Sequence, residues 1–283
     1  SLPSPKRMVV VNKYTVFGNP IAQSKSPSIH HMFAEQAGLT IKYERTLATN
    51  ENFISTLNDF FRDEGAKGCN VTSPFKEQVA KWVNDLSVGA KLAGAVNTVI
   101  RKADGTFLGD TTDGQGLVQD LHRLNIQVKD SRILLLGAGG AARGVLQSML
   151  ALDPSLLIVA NRTEEKAQNL ASLLPQDNFI GIGLKQLNTI QRPFDLIINS
   201  TSASLAGELP CIPDSVISSC ANFYDMSYGD KPTVFIQYAK KLGVFNTFDG
   251  LGMLVGQAAE SFYLWTGYRP DVAPVIRKLR SSL

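Results

Sequence analysis

The feature that most constrains the fold is a short aliphatic run that leads directly into a glycine-rich turn. Residues 132–136 (RILLL) are typical of a strand buried on both faces, and the letters GAGGAA follow before a helical stretch. In such a unit Gly137 permits the tight turn, and Gly139 lets the backbone approach a pyrophosphate at the helix N-terminus. Small residues at Ala141 and Ala142 would let the helix pack closely on the strand. The alternative is a glycine turn that serves packing alone, but its position between strand and helix favours a Rossmann-like nucleotide-binding unit.

The residues after the next predicted strand indicate which nucleotide is bound. That strand ends at Ala160 and continues as Asn161-Arg162-Thr163, without the carboxylate that NAD-binding proteins place near the ribose 2′-hydroxyl. A planar guanidinium at Arg162 suits a 2′-phosphate, and Thr163 and Lys166 would add a hydroxyl and a second cation. Arg162 could instead be a solvated surface charge. Because the acid is missing and the cation is present, the sequence favours NADP over NAD.

Short apolar runs alternate with helical stretches along the rest of the chain. Residues 14–17 read as a strand, Pro27 to Ala37 as a helix that Gly38 ends, and 156–160 as another strand. This alternation predicts a mostly parallel, covered sheet in the first third as well. With 283 residues and 44% apolar content, the chain is long enough for two domains with separate cores.

Composition argues against several classes of function. The net charge of +3 is spread over interspersed acids and bases, so we expect no nucleic-acid partner. Cys69, Cys211 and Cys220 are odd in number and widely spaced, which fits reduced thiols rather than disulfides or a zinc site. Adjacent His30 and His31 point in different directions, and no metal site is predicted. No apolar stretch reaches the ~20 residues that span a bilayer and the start lacks an apolar signal core, so we expect no membrane association and a cytoplasmic location.

Polar residues upstream of the glycine turn predict a substrate pocket beside the nucleotide. Ser24 and Ser26 lie where Pro27 opens a helix, and their hydroxyls could donate to a carboxylate, although Ser26 could instead only cap that helix. Lys76 and Asp113 are the candidate catalytic pair, because ketone reduction needs hydride on one face and a proton or strong donor at the developing alkoxide. A neighbouring carboxylate favours the ammonium form of a lysine. Proton transfer and charge stabilisation by Lys76 both stay open, and a plain surface ion pair is the alternative.

A series of motifs in this order resembles the shikimate dehydrogenase family. They are SKSP at 24–27, NVTSPFK at 70–76, GAVNT at 94–98, GDTTDG at 109–114, the glycine turn, and DGLGMLVGQ at 249–257. The resemblance implies reversible, NADPH-dependent reduction of 3-dehydroshikimate to shikimate in the aromatic amino acid pathway. It implies that Ser24 and Ser26 hold the carboxylate, that Tyr228 lies where two domains meet, and that further polar residues contact the ring hydroxyls: Asn70, Thr72, Lys76, Asn97, Asp113 and Gln257.

The resemblance also defines the fold class and the cofactor site. Because substrate motifs precede and follow the glycine turn, we predict a two-domain α/β protein with a central active-site cleft. A discontinuous α/β substrate domain would span 1–112 and 249–283, and a Rossmann-like NADP-binding domain 113–248, with hinges near Gly114 and Gly250. We expect a monomer or homodimer. The residues predicted to bind NADP are Gly137, Ala138, Gly139, Gly140, Ala141, Asn161, Arg162, Thr163, Lys166, Thr201, Gly250 and Met253.

The sequence departs from the commonest family pattern in three places. Thr111 stands where asparagine is usual and removes an amide, Ser204 stands where glycine is frequent beside the expected nicotinamide, and Pro232-Thr233 appears in an unusual order. One alternative is a quinate/shikimate dehydrogenase of broader specificity that uses NAD or NADP, against which Arg162 argues. Another is a non-catalytic quinate or shikimate sensor, which should have lost the lysine or the aspartate. A folate-type dehydrogenase would lack the paired serines.

Overall fold

The structure is a computed structural model that describes residues 11–209 and 211–283. Its strands form two six-stranded sheets that follow one another along the chain, and helices pack against both. The predicted α/β class is confirmed. Within the described ranges, no helix combines the length and the apolar character needed to cross a membrane.

The first sheet is mixed. Its strands are β1 (Asn12–Gly18), β2 (Ile41–Leu47), β3 (Ala66–Val71), β4 (Asp85–Leu86), β5 (Thr98–Arg101) and β6 (Phe107–Asp110). They lie in the order β2-β1-β3-β5-β6-β4. The predicted parallel arrangement holds for β1 with β2 and β3 and for β4 with β6, but β5 is antiparallel to both neighbours. The short connection through Gly105, whose φ is +85°, is too brief for a parallel crossover and forms a hairpin instead.

Four helices accompany this sheet: α1 (Ser26–Ala37), α2 (Phe53–Phe61), α3 (Lys76–Trp82) and α4 (Val88–Ala93). α1 has the predicted proline in its first turn and ends at Gly38, which takes the left-handed conformation with φ +67°. α2 buries Phe53, Leu57 and Phe61, whose helical spacing places one apolar face against the sheet. These side chains belong to one hydrophobic core. That core fixes the positions at which the segments carrying the predicted site residues begin.

The second sheet is wholly parallel. Its strands are β7 (Arg132–Leu136), β8 (Leu156–Asn161), β9 (Phe179–Gly183), β10 (Leu196–Asn199), β11 (Asn222–Asp225) and β12 (Asn246–Phe248). They lie in the order β12-β11-β10-β7-β8-β9, and every neighbouring pair is parallel. The order reverses at β7, which lies between β8 and β10. In open parallel sheets, ligands bind at the carboxyl ends of the strands beside such a reversal.

The remaining helices are α5 (Asp113–Arg123), α6 (Gly140–Leu150), α7 (Glu164–Ser172), α8 (Asp214–Ser218), α9 (Val234–Lys241), α10 (Leu251–Thr266) and α11 (Ala273–Ser282). α5 and α10 cross at glycines: a Cβ on Gly116 would lie 2.6 Å from the backbone nitrogen of Gln257, and one on Gly256 would lie 2.9 Å from the Gly116 carbonyl. A Cβ on Gly114 would lie 2.4 Å from Ser148 Oγ of α6. α5 is therefore packed closely between α10 and α6.

The two crossing helices, α5 and α10, contribute to different hydrophobic cores. Leu117 and Leu121 of α5 join the core on one face of the second sheet. Val255 of α10 instead packs in a cluster with Ile29 of α1 and with α11. The domain boundaries at 112/113 and 248/249 and the hinges at Gly114 and Gly250 stay predictions.

Candidate active site

One cavity of about 460 Å³ collects the residues predicted to bind substrate. All of them line it: Ser24, Ser26, Asn70, Thr72, Lys76, Asn97, Asp113, Tyr228 and Gln257. Three residues of the predicted cofactor set line it too, namely Ala141, Gly250 and Met253. The cavity thus lies where the first sheet, the glycine turn and the start of α10 meet.

The candidate catalytic pair is in contact. Lys76 Nζ lies 3.2 Å from Asp113 Oδ2, and the two side chains are 32% and 23% exposed. Each is the first residue of its helix, α3 and α5. The start of α3 is anchored by fully buried Phe75, whose ring stacks on Phe53 with centroids 4.5 Å apart and planes 3° apart. The ammonium group is therefore held at the cavity wall and stays open to it.

Asn97 holds the second oxygen of this carboxylate. Its Nδ2 donates to Asp113 Oδ1 at 3.1 Å and to Thr112 Oγ1 at 3.0 Å. Its Oδ1 accepts from the Thr112 backbone N–H at 3.0 Å and from Thr98 Oγ1 at 2.8 Å. Gln257 reaches the same group, because its Oε1 accepts from Thr112 Oγ1 at 3.3 Å. Both oxygens of Asp113 thus have donors before any substrate binds.

Asn70, the other amide of the cavity, is fixed from behind. The Tyr43 hydroxyl donates to Asn70 Oδ1 at 2.6 Å in a buried environment. Asn70 Nδ2 donates to the Asn97 carbonyl at 3.1 Å and to Thr98 Oγ1 at 3.2 Å. Asn70 and Asn97 are only 7% and 6% exposed. The two amides therefore present fixed edges to the cavity.

The two predicted carboxylate-binding serines lie in a turn before α1. The cap position of that helix is Lys25, whose side chain makes no capping hydrogen bond, so the interpretation of Ser26 as the helix cap is wrong. Ser24 Oγ accepts from the Ser26 backbone N–H at 3.2 Å. The Arg45 guanidinium donates to the Ser24 carbonyl at 2.6 and 3.1 Å. Lys25 lines the cavity beside the serines, a position that the sequence reasoning missed.

Tyr228 lines the cavity together with Met226 and Met253. Burial, with a smaller effect from the Asp249 charge, raises the pKa of Tyr228, so its hydroxyl stays protonated. Met226 was not among the predicted residues; its carbonyl oxygen would lie 1.9 Å from a Cβ on Gly250, so this approach requires glycine. Among these three side chains the Tyr228 phenol is the hydrogen-bonding group.

The glycine turn has the geometry expected of a nucleotide cradle. Gly137 has φ +100°, and a Cβ there would lie 2.7 Å from Ser200 Oγ and 2.8 Å from Thr201 Cγ2. Apart from chain neighbours and the backbone of α6 itself, no atom of the described residues lies within 4 Å of a Cβ built on Gly139 or Gly140. The backbone at the start of α6 therefore faces open space. This opening fits a pyrophosphate.

The packing role expected of the two alanines holds for one of them only. Ala142 is fully buried against the core, whereas Ala141 is exposed and faces the cavity. The expectation for Ala141 is wrong because consecutive helical residues point about 100° apart, so that one of the two must turn away from the sheet.

The residues expected at the adenosine end follow β8, the neighbour of β7. Asn161 Nδ2 donates to the Thr163 carbonyl at 3.0 Å and shapes the turn. Arg162, Thr163 and Lys166 are exposed. Among residues 11–209 and 211–283, neither Arg162 nor Lys166 forms an ion pair. Two cations and a hydroxyl beside an open glycine turn fit the 2′-phosphate of NADP.

Two of the three departures from the family pattern lie around a buried carboxylate, and the third lies at a separate cavity. Fully buried Asp225 accepts at Oδ2 from Ser204 Oγ at 2.9 Å and from Thr233 Oγ1 at 2.7 Å, and Thr233 also caps α9. Ser204 does not line the cavity. Thr111 lines a separate cavity of about 270 Å³, and its backbone N–H donates to Asp110 Oδ1 at 2.8 Å. Thr201, predicted to bind cofactor, donates to Asn199 Oδ1 at 2.8 Å beyond β10.

The side chains that could ligate a metal ion are dispersed. Within the part of the chain that the structure describes, no three His, Cys, Asp or Glu side chains cluster as metal ligands would. The cysteines are free thiols, with Cys69 and Cys220 buried and Cys211 exposed.

Family models match most of the chain in the order of its parts. Residues 16–99 match the shikimate dehydrogenase substrate binding domain, and 119–208 match the shikimate / quinate 5-dehydrogenase model. Residues 250–280 match the shikimate 5′-dehydrogenase C-terminal domain.

Individual relatives match over nearly the full length. The chain is 51% identical over 274 residues to the shikimate dehydrogenase (NADP(+)) of Vibrio atlanticus, covering 96% of this chain and 98% of that protein. The solved structure of an Ael1 enzyme from Pseudomonas putida has a TM-score of 0.91 at 38% identity, covering 95% of this chain and 98% of that one. Shikimate 5-dehydrogenase from Thermus thermophilus, solved in complex with NADP(H) and shikimate, has a TM-score of 0.84 at 30% identity, with 96% and 100% covered.

Proposed function

Since the chain belongs to the shikimate dehydrogenase family, we propose that it catalyses the reversible NADPH-dependent reduction of 3-dehydroshikimate to shikimate. The predictions of the family, the fold class and an NADP-dependent oxidoreductase are confirmed by the comparisons. The observation that carries the proposed reaction is the single cavity that every predicted substrate residue lines and in which Lys76 contacts Asp113.

The substrate would bind with its carboxylate toward the turn before α1. Ser24 and Ser26 offer two hydroxyls there, and Lys25 and Arg45 make the surroundings positive. Thr72, Asn70, Asn97 and Gln257 would bind the ring hydroxyls, and Tyr228 would line the same cavity where the two domains meet. Hydroxyl and amide groups can donate and accept, as a polyhydroxylated ring requires.

The reacting carbon would lie beside Lys76 and Asp113. NADPH, when bound, supplies the hydride. Lys76 Nζ would donate to the ketone oxygen as negative charge develops on it, whether by transferring a proton or by stabilising the alkoxide. Asp113 holds that ammonium group at 3.2 Å and would accept from a neighbouring ring hydroxyl. In the reverse direction the same pair would receive the hydroxyl proton.

NADP would be held by the open glycine turn and by the residues beyond the neighbouring strands. The backbone at Gly137, Ala138, Gly139, Gly140 and Ala141 would take the pyrophosphate, Asn161, Arg162, Thr163 and Lys166 the adenosine 2′-phosphate, and Thr201, Gly250 and Met253 the nicotinamide end. The last two line the same cavity as the substrate residues, which supports a nicotinamide at that wall.

We further propose the domain division at 1–112 with 249–283 against 113–248, closure of the cleft about the junction, a cytoplasmic location, and a monomer or homodimer. The division is supported by the two separate sheets and their separate cores. Small-angle scattering that stays unchanged when both ligands are added would count against closure.

The test is a turnover assay of purified protein with shikimate or quinate, each with NADP or NAD, in which nicotinamide reduction is followed by absorbance. Rapid turnover of shikimate with NADP, and little with the other three combinations, is the expected result. Comparable turnover of quinate, or of NAD, would replace the proposal by a quinate/shikimate dehydrogenase of broader specificity. Tight shikimate binding without turnover would favour the sensor.

A further inference from the structure

We propose that Thr98 is a positioning residue whose hydroxyl joins Asn70 to Asn97 and fixes the orientation in which both amides face the cavity. This inference rests on the proposed function, because it gives Thr98 a role in binding the polyhydroxylated substrate. Thr98 is fully buried and does not itself line the cavity.

The position of Thr98 follows from strand pairing. It is the first residue of β5, directly after Asn97, and it lies opposite Asn70 in the antiparallel register of β3 and β5. Cross-strand neighbours in such a pair lie within hydrogen-bond reach of each other's side chains. Thr98 Oγ1 is accordingly 3.2 Å from Asn70 Nδ2 and 2.8 Å from Asn97 Oδ1.

The direction of each hydrogen bond follows from the groups at the ends of the chain. Asn70 Oδ1 can only accept, so the Tyr43 hydroxyl must donate to it, and Asn70 Nδ2 must face β5. Thr98 accepts from that amide, and its one proton goes to Asn97 Oδ1. Asn97 Nδ2 then faces Asp113 Oδ1 at 3.1 Å. Donation therefore runs in one direction from Tyr43 to Asp113, the carboxylate that contacts Lys76.

A reversed Asn97 amide would be unfavourable at both ends. Its carbonyl oxygen would face the Asp113 carboxylate. Its NH₂ would face the Thr112 backbone N–H, from which Oδ1 now accepts a hydrogen bond at 3.0 Å. Thr98 holds the present orientation together with that backbone group. Its oxygen is fully used, because Ser261 Oγ also lies 2.8 Å away and can donate to it. An isosteric valine would leave Asn97 with one donor fewer, and would leave the amide of Asn70 and the Ser261 hydroxyl without this acceptor.

The experiment compares Thr98→Val with Thr98→Ser, which keeps the hydroxyl. For T98V we expect the KM for shikimate to rise and kcat/KM for shikimate to fall by roughly tenfold to a hundredfold, as the loss of partners by buried polar groups implies. The KM for NADP should not change, and T98S should stay within about threefold of the wild type. A T98V protein with a lower melting temperature but unchanged kinetics for shikimate would overturn the proposal.

A second measurement keeps the test decisive if T98V folds poorly. Tyr43→Phe removes the first donor of the chain and should weaken shikimate binding in calorimetry by a few-fold while leaving NADP binding unchanged. In an Asn70→Ala, Asn97→Ala background, neither T98V nor Y43F should weaken shikimate binding further, since the groups they orient are gone. Full additivity would overturn the proposal. A wild-type protein that neither binds nor oxidises shikimate would instead refute the proposed function.

Discussion

The two halves of the molecule prepare their ligand sites in different ways. Around the first sheet the site is supported by buried polar side chains that are already hydrogen-bonded: Asn70, Asn97, Thr98, Thr112 and Ser261 are at most 7% exposed. Around the second sheet the corresponding site consists of open backbone at Gly139 and Gly140 and of exposed cations. The strands there are aliphatic and buried on both faces.

This difference follows from what each ligand demands. A polyhydroxylated ring is recognised by many short, directional hydrogen bonds, which side chains must supply in fixed orientations. A dinucleotide carries its charge on phosphates, which backbone N–H groups and flexible cations can bind without a buried network. Substitutions in the first half should therefore act through side-chain chemistry, and those in the second half through backbone shape and surface charge.

The largest effect is expected at the cavity wall of the first half. Lys76→Met should lower kcat for shikimate oxidation about a thousandfold, because it removes the donor at the reacting oxygen. Lys81→Met is the matched control, since Lys81 is exposed on the same helix and lies outside the cavity. Steady-state kinetics of the two variants, with a melting curve for each, checks the prediction. A loss below about tenfold in K76M would contradict it.

The next largest effect is expected on the free energy of unfolding, at a histidine buried behind the substrate site. His30 is fully buried, stacks on Tyr43 with centroids 4.6 Å apart, and has no hydrogen-bond partner for either ring nitrogen within the described part of the chain. Burial first, and the charge of His31 second, lower the pKa of His30 to about 3.

The sign of the pH dependence follows from this lowered pKa. An unfolded histidine takes up its proton near pH 6.5 and the folded one only near 3. The stability present above pH 6.5 is therefore lost as pH falls through that window, by roughly 5 kcal/mol in all. His30→Phe should remove most of this loss, whereas His31→Gln, at an exposed position, should keep most of it, because burial is the larger cause of the lowered pKa. Denaturant unfolding at about pH 7 and about pH 4.5, on either side of the unfolded value, measures the difference. A wild-type-like pH dependence in H30F would show that other groups carry it.

In the second half, substitutions at two glycines of the turn should have smaller effects. One should act through backbone strain and the other through loss of a ligand contact. Gly137→Ala would place a Cβ at φ +100° and against Ser200 and Thr201, at a cost of about 1–3 kcal/mol in folding free energy. Gly139→Ala meets open space at φ −90° and should leave that free energy unchanged while weakening NADP binding, because the methyl group would occupy the expected pyrophosphate position. Chemical unfolding and NADP titration of both variants test this contrast. Equal stability of the two would refute the strain argument.

The smallest effect is expected at the exposed guanidinium group of Arg162. Arg162→Ser should raise the KM for NADP by about tenfold and leave the KM for NAD unchanged, because only the 2′-phosphate loses a partner. Kinetics with both cofactors checks it, and NAD is the internal control. An equal rise for both cofactors would mean that Arg162 contacts a part of the nucleotide common to the two.

Much of the fold could be predicted because its signals are local. The β7 run and glycine turn, the proline and glycine that bound α1, and the spacing of Phe53, Leu57 and Phe61 each depend on neighbours in sequence. The antiparallel β5 was missed, since strand direction depends on a short hairpin rather than on composition.

The motifs indicated the substrate residues that line the cavity, and their roles stay predictions. The polar residues that support the site were not predicted, because Tyr43 and Ser261 belong to no recognisable sequence pattern. They contact Asn70 and Thr98 only because elements distant in sequence pack together. Ser204 and Thr233 were noted as departures, but their shared partner Asp225 is 21 residues from Ser204 in sequence, so no local signal reveals it.

The glycine crossing of α5 and α10 limits how the two halves can move relative to each other. At Gly116 and Gly256 the backbones of the two helices approach closely, and neither glycine has a side chain whose rotamers could absorb a translation. Sliding of packed helices depends on such adjustments, whereas rotation about a fixed contact does not. We therefore expect the pair to retain a rotational degree of freedom and no translational one, so that structures with and without ligands would superpose at this crossing and differ most at the far ends of the two sheets.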